Sequence, residues 1–158
     1  MKRILFVCTG NVFRSMTAEY SLRRQLGLNS QMSVASAGTR EDPHLQVRED
    51  VADYLATKGL NVNTHRRTLV TADLINQSDF VIAKNTDHKR YLLEQFSVAV
   101  PHFMEACGKS TEALPDVDDL FAASDWHGTE ALNHIKLTID RIVEMTPLLL
   151  GRFTQERT

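Results

Sequence analysis

Apolar and polar positions change period along this chain, and each change predicts the start of a new secondary-structure element. Short apolar runs predict strands, and stretches with apolar residues three or four positions apart predict helices. The predicted strands are Arg3–Cys8, Met32–Ser36, Asp79–Ala83 and Ser97–Val100. The predicted helices are about Met16–Leu26, Gln46–Lys58, Thr71–Gln77, Asp87–Gln95 and His127–Leu150.

Strands that alternate with helices indicate a parallel sheet with helices packed on it, so we expect an α/β sandwich. The last predicted helix fits this arrangement because it carries one apolar stripe, formed by Leu132, Ile135, Ile139 and Ile142. Between residues 101 and 126 the chain has little periodicity and carries several carboxylates. A loop of that length in a compact domain usually has a function.

Composition restricts the class of protein. The 158 residues, 42% of them hydrophobic, predict a single domain over residues 1–158. The net charge of −2 and the lack of a basic run give no reason to expect a nucleic-acid or membrane partner. No apolar segment reaches the roughly 18 residues of a membrane span. The two cysteines, Cys8 and Cys107, form no disulfide framework, and a reactive thiol fits a cytoplasmic location.

The most informative segment follows the first predicted strand and reads Cys8-Thr9-Gly10-Asn11-Val12-Phe13-Arg14-Ser15. A loop between a strand and the start of a helix presents backbone N–H groups and a helix dipole that favours anions. The same field favours Cys8 as a reactive thiolate, and the planar guanidinium of Arg14 matches two oxygens of a phosphate. We expect Gly10 and Asn11 to supply positive φ angles in this loop. These residues predict a site for nucleophilic attack on phosphorus.

The chain resembles the low-molecular-weight protein tyrosine phosphatases, including their bacterial members. The resemblance covers essentially the whole chain in the right order. Its motifs are Val7-Cys8-Thr9-Gly10-Asn11, Arg14-Ser15, Ala18-Glu19, Ser36-Ala37-Gly38-Thr39, Gly59-Leu60, His65-Arg66-Arg67, Ala72-Asp73-Leu74, Ser78-Asp79-Phe80-Val81-Ile82-Ala83 and Leu114-Pro115-Asp116. The resemblance implies a three-layer sandwich whose four-stranded parallel sheet has the order 2-1-3-4, with helices on both faces.

The resemblance also implies the roles of individual residues. Cys8 would be the nucleophile, Arg14 the phosphate clamp and Asp116 the general acid and base, with Asp118 as the second choice for the acid. The phosphoryl group would bind the loop residues Thr9, Gly10, Asn11, Val12, Phe13 and Ser15. Ser15 would hydrogen-bond the Cys8 sulfur, and Asn11, Ser36 and His65 would hold the loop in shape. The partner would be a phosphotyrosine-bearing protein, acted on by a monomer or weak dimer.

The sequence departs from the family where an Asp-Pro-Tyr-Tyr segment is usual. Val117, Asp118 and Asp119 follow Asp116 instead, so the aromatic wall beside a phosphotyrosine ring is missing. Phe13 and Phe121 are candidates to replace it. Trp126 and Phe121 otherwise predict a packing anchor for the last helix, and Arg66 and Arg67 predict a solvated face near the site.

Three alternative functions stay open to different degrees. A thioredoxin-coupled arsenate reductase needs two further cysteines after the third strand, where this chain has none. A protein arginine phosphatase fits the Asp87-His88-Lys89 segment, but such enzymes carry Thr where this chain has Val12. A phosphate-binding module with weak turnover would explain the altered acid segment.

The remaining histidines predict no metal site and no cofactor. They have no metal-ligand spacing, so we expect surface or packing roles for His44, His88, His102, His127 and His134.

Overall fold

Three parallel strands form the centre of the molecule. The computed structural model describes residues 1–28, 30–109, 114 and 117–155, with only the backbone described at residue 118. The strands are β1 (Lys2–Cys8), β2 (Met32–Gly38) and β3 (Phe80–Ala83), in the order β2-β1-β3. The register pairs Cys8 with Gly38 and Val7 with Ala83, so the strands end together at one edge of the sheet.

The helices follow the predicted alternation. They are α1 (Arg14–Leu26), α2 (Glu49–Thr57), α3 (Ala72–Asn76), α4 (Thr86–Phe96), α5 (Phe103–Ala106), α6 (Val117–Leu120) and α7 (Thr129–Gln155). A 3₁₀ turn, Ala123–Asp125, precedes α7. The sequence did not predict α5, α6 or this turn, because a helix of one turn is too short to show a period.

The side chains of β1 pack against two apolar clusters, one on each face of the sheet. Ile4 and Phe6 face a cluster that includes side chains of α1, α5 and α7. Leu5 and Val7 face the opposite cluster, which includes side chains of α3 and α4. Because successive side chains of a strand point to opposite faces, the continuous apolar run of β1 serves both layers. The result is the three-layer α/β arrangement expected from the sequence.

The structure does not confirm the fourth strand predicted at Ser97–Val100, because the described residues form three strands. This segment runs beside β3 and forms only an isolated parallel bridge between Ala83 and His102, with Ala83 N donating to Pro101 O at 3.0 Å. Pro101 has no N–H to donate, which stops a ladder from forming. Among the described residues, no helix is long and apolar enough to cross a membrane.

Candidate active site

The loop between β1 and α1 lies at the carboxyl end of the central strand. Cys8 is the last residue of β1 and is 2% exposed, and Arg14 is the first residue of α1 and is 3% exposed. The sequence predicted both elements around this loop, although α1 begins two residues earlier than expected. The fold therefore holds a thiol and a guanidinium at the two ends of one short segment.

The Cys8 sulfur lies among hydrogen-bonding groups of its own loop. The Ser15 hydroxyl lies 2.9 Å from Sγ, and the Asn11 N–H donates to Sγ at 3.3 Å. Asn11 adopts the left-handed conformation with φ 55°, but Gly10 does not, so the expectation for Gly10 is wrong. Groups that donate to sulfur favour its anionic form.

Asn11 connects this loop to three other segments. Its Nδ2 donates to Ser15 Oγ at 3.0 Å and to Ser36 Oγ at 2.7 Å. Its Oδ1 accepts from Thr68 N at 2.9 Å, and its carbonyl accepts from His65 Nε2 at 2.7 Å. The structure thus brings together Asn11, Ser36 and His65, the three residues that the resemblance assigned to loop support.

A buried carboxylate continues this network away from the loop. Ser36 Oγ donates to Glu19 Oε2, and Glu19 pairs with Arg23 at 2.6 Å. Burial raises the pKa of Glu19, against the opposing effects of the Ser36 hydrogen bond and the Arg23 charge. Glu19 therefore lies behind Ser36 as the acceptor that fixes its hydroxyl.

The end of β2 holds the other side of the loop. Thr39 N donates to Cys8 O at 2.9 Å, and Arg40 N donates to Thr9 O at 3.0 Å. A Cβ at Gly38 would lie 2.7 Å from Thr9 O, so only glycine allows the two segments to approach this closely.

Arg67 also supports the loop, although we predicted a solvated face for it. Its Nε donates to Gly10 O at 2.7 Å, and its Nη2 donates to Arg40 O at 2.7 Å. The segment that carries His65 thus contacts the loop through two side chains. Its position two residues after His65 was the signal in the sequence.

His88 makes a contact that sequence reasoning missed. The residue is buried in α4, and its Nε2 lies 2.8 Å from Thr9 Oγ1. Burial, together with the positive charges of Arg14 and Lys84, lowers the pKa of His88 to about 3. His88 is therefore a neutral residue beside the loop, more specific than the surface or packing role that we expected.

A pocket opens above the loop. Its floor consists of residues 8–14, and its walls include Arg40, Leu45, Arg48, Val51, Val117, Trp126, His127 and Ile135. Of the aromatic residues considered as walls, Phe13 lines the pocket and Phe121 does not; the ring of Phe121 packs 6.0 Å from that of His134. Trp126, which we predicted only as a packing anchor, supplies an aromatic wall.

Trp126 is fixed on two sides. Its Nε1 donates to Phe121 O at 3.2 Å, and its carbonyl accepts from Arg48 Nη1 at 2.7 Å. Arg48 is itself held by Asp50, with Nε and Nη2 donating at 3.0 and 2.7 Å. These bonds join the wall to the start of α2.

The expected general acid lies outside this description. Asp116 is not among the described residues, and for Asp118 only the backbone is described. Val117, between them, is described and lines the pocket. The described residues contain no cluster of three His, Cys, Asp or Glu side chains that could hold a metal ion.

Comparisons of the sequence with known proteins match it to phosphatases, in agreement with the phosphate-binding geometry of the loop. The profile of the family described as low molecular weight phosphotyrosine protein phosphatase matches residues 3–148. A protein-arginine-phosphatase of Bacillus subtilis is 34% identical over 157 residues, which are 98% of each chain. A probable low molecular weight protein-tyrosine-phosphatase, EpsP, of Ralstonia solanacearum is 31% identical over 90 residues, 57% of this chain and 60% of the relative.

A solved structure is similar to this chain over nearly its whole length, which supports the fold. The crystal structure of a YwlE mutant from Bacillus subtilis has a TM-score of 0.79 and 26% identity. The match covers 98% of this chain and 99% of that one.

Replacing Gly38 by Ala should damage the loop, because its Cβ would press on Thr9 O. We expect Gly38→Ala to lower the free energy of unfolding by about 1–3 kcal/mol and to slow alkylation of Cys8 by iodoacetate. Gly151→Ala is the control, since nothing lies near its Cβ and it should be neutral or stabilising by up to about 1 kcal/mol. Equal effects of the two changes on alkylation would show that the close approach at Gly38 is unimportant.

The buried, neutral His88 should make stability depend on pH. The unfolded chain takes up a proton at this residue below about pH 6.5, whereas the folded chain does so only near pH 3. Stability is therefore lost as the pH falls between these values, by about 1.4 kcal/mol per pH unit from this residue. Chemical denaturation at several pH values should show a smaller slope for His88→Gln. The exposed His44→Gln should keep the wild-type slope, and an unchanged slope in His88→Gln would contradict the assignment.

Proposed function

The chain belongs to the low molecular weight phosphotyrosine protein phosphatase family, and we propose that it hydrolyses phosphotyrosine in proteins through a phosphocysteine intermediate. One observation carries the proposal: the Cys8 sulfur lies 2.9 Å from Ser15 Oγ and accepts from Asn11 N, on a loop that ends at the buried Arg14. A nucleophile and a phosphate clamp on one loop are what attack on phosphorus requires.

In the first step, the Cys8 thiolate attacks phosphorus and forms the S–P bond while the P–O bond to the tyrosine breaks. Arg14 grips two phosphoryl oxygens, and the backbone N–H groups of residues 9–14 stabilise the third as charge develops. The leaving oxygen takes a proton from Asp116. Ser15 stabilises the sulfur as a thiolate before attack.

In the second step, water attacks phosphorus and the S–P bond breaks, which returns the electron pair to sulfur. Asp116, now a carboxylate, takes the proton of that water. The products are inorganic phosphate and the regenerated thiolate. Asn11, Ser36 and His65 keep the loop in the same shape through both steps.

The pocket walls support an aromatic substrate. Phe13, Trp126 and the apolar residues Leu45, Val51 and Ile135 offer flat and apolar surface to a phenyl ring. Among the described lining residues the charged ones are cations, and none is a carboxylate. The aromatic rings of Phe13 and Trp126 therefore favour phosphotyrosine over phosphoarginine.

Protein arginine phosphatase activity is the second candidate. It is favoured by the Bacillus subtilis relative of that name, which matches nearly the whole chain. Val12 at the pocket floor stands against it, since the resemblance associates Thr at this position with arginine phosphatases.

Coarser features complete the proposal. We propose one domain over residues 1–158. In this domain residues 98–102 take the place of the fourth strand, and the bridge from Ala83 to His102 supports this. The two free, buried thiols, Cys8 and Cys107, support a reducing, cytoplasmic location. We propose a monomer or weak dimer.

Paired peptides test the function directly. We expect kcat/KM for a phosphotyrosine peptide to exceed that for a matched phosphoarginine peptide by about tenfold or more. Trp126→Ala should lower the phosphotyrosine value by about tenfold, whereas Phe121→Ala, outside the pocket, should change it little. Cys8→Ser should abolish both activities.

The reverse preference would identify an arginine phosphatase. Phosphate binding with neither activity would identify a binding module.

Comparing substrates with different leaving groups tests which residue is the general acid. Asp116→Asn should slow hydrolysis of phosphotyrosine by about 10²–10⁴-fold, the usual contribution of general acid catalysis. It should slow p-nitrophenyl phosphate less, because a better leaving group needs less protonation. Asp118→Asn is the matched control and should have a modest effect. If Asp118 proved critical and Asp116 tolerant, the acid would have moved by two residues along its loop.

A further inference from the structure

Lys84 is a fully buried lysine at the carboxyl end of the sheet. It directly follows β3, and its N–H donates to Val7 O at 2.9 Å. The register pairs Val7 with Ala83, so Cys8 and Lys84 come next on neighbouring strands. Because strand side chains alternate between faces, these two residues point to the same face of the sheet.

The ammonium group of Lys84 is enclosed by apolar and cationic groups. Nζ lies 3.6 Å from the ring centroid of Phe103, and it has no hydrogen-bond partner among the described residues. Phe103 in turn packs against Phe6, with 6.3 Å between ring centroids. A cation over an aromatic face is partly stabilised, but a ring does not replace a carboxylate.

Among the described residues, four titratable or charged groups act on Lys84 from the elements around it. They are Cys8 at the end of β1, Arg14 of α1, His88 of α4 and Cys107 after α5. Burial and the Arg14 charge lower the pKa of Lys84 to about 7, and the two thiols oppose this. His88 and Cys107 cannot neutralise the ammonium near neutral pH, because the pKa of His88 is about 3 and that of Cys107 about 11.

A negative charge that enters the loop would therefore change the protonation of Lys84. A buried cation without a partner destabilises the fold, and an anion nearby removes part of that cost. In a partly buried site such an interaction acts over several ångströms. Among the described residues that act on Lys84, the anion is the Cys8 thiolate, and the proposed function adds the phosphoryl group that the loop binds.

We propose that Lys84 is a positioning residue behind the phosphate loop, which takes up a proton from solvent when a dianionic oxyanion binds and so strengthens binding. The proton returns to solvent when the oxyanion leaves. The Lys84 ammonium makes no hydrogen bond to the described loop residues, so it acts on the loop through its charge. The proposal rests on the phosphate-binding part of the proposed function and not on turnover.

The test uses sulfate, whose charge stays constant across neutral pH. For the wild type, sulfate affinity should fall as the pH rises through about 7, because Lys84 loses its proton there. Calorimetry in two buffers of different ionisation enthalpy should show proton uptake on binding near that pH. Lys84→Met, which fills the same space without charge, should bind sulfate about tenfold more weakly below neutrality and show neither effect.

Lys89→Met is the matched control, because Lys89 is partly exposed and pairs with Glu105 at 2.8 Å. It should bind sulfate and take up protons as the wild type does. Lys84→Met should also raise the melting temperature, since it removes a buried cation.

Wild-type sulfate binding without proton uptake would overturn the proposal, whatever the variant does. So would a folded Lys84→Met with wild-type affinity and pH dependence. The wild type could bind sulfate with the expected pH dependence and proton uptake and yet hydrolyse no phosphomonoester. That result would overturn the proposed function and leave the role of Lys84 standing.

Discussion

The left-handed backbone of Asn11 is the constraint on which the site depends. At φ 55° its N–H points to the Cys8 sulfur, and its carbonyl accepts from His65. A non-glycine residue in this conformation needs compensation. The side chain supplies it, because both amide hydrogens and the amide oxygen are bonded, to Ser15, Ser36 and Thr68 N. Asparagine suits both demands, since it tolerates the left-handed region and offers donors and an acceptor.

The supports of the loop come from segments far apart in the chain, and each one depends on the sheet register. Cys8 is paired with Gly38, and this register brings Ser36 and the chain after β2 beside the loop. Ser36 can receive the Asn11 amide because its own hydroxyl proton goes to Glu19. A shift of β2 by one residue would turn Ser36 to the other face and remove this support.

The sequence predicted the parts of this site that are local in the chain. The continuous apolar run before Cys8 and the helical period after Arg14 were enough to place the loop, and α2, α3, α4 and α7 were found within a few residues. The contacts of His88, Trp126 and Lys84 were missed because each depends on a partner distant in sequence: Thr9, Arg48 and Phe103, respectively. The fourth strand is not confirmed, since apolar alternation at residues 97–100 indicates burial but does not show whether Pro101 can extend a ladder.

The buried positive charges around the loop destabilise the folded protein. Arg14 and Lys84 are both buried, and His88 stays neutral because its own burial and these two positive charges oppose its protonation. The buried carboxylate nearest in the network, Glu19, is already engaged by Ser36 and Arg23. The Lys84 ammonium has no hydrogen-bond partner among the described residues, so its charge acts on whatever occupies the loop. A fold selected only for stability would place an apolar side chain at Lys84, so this buried cation indicates selection for an anionic ligand.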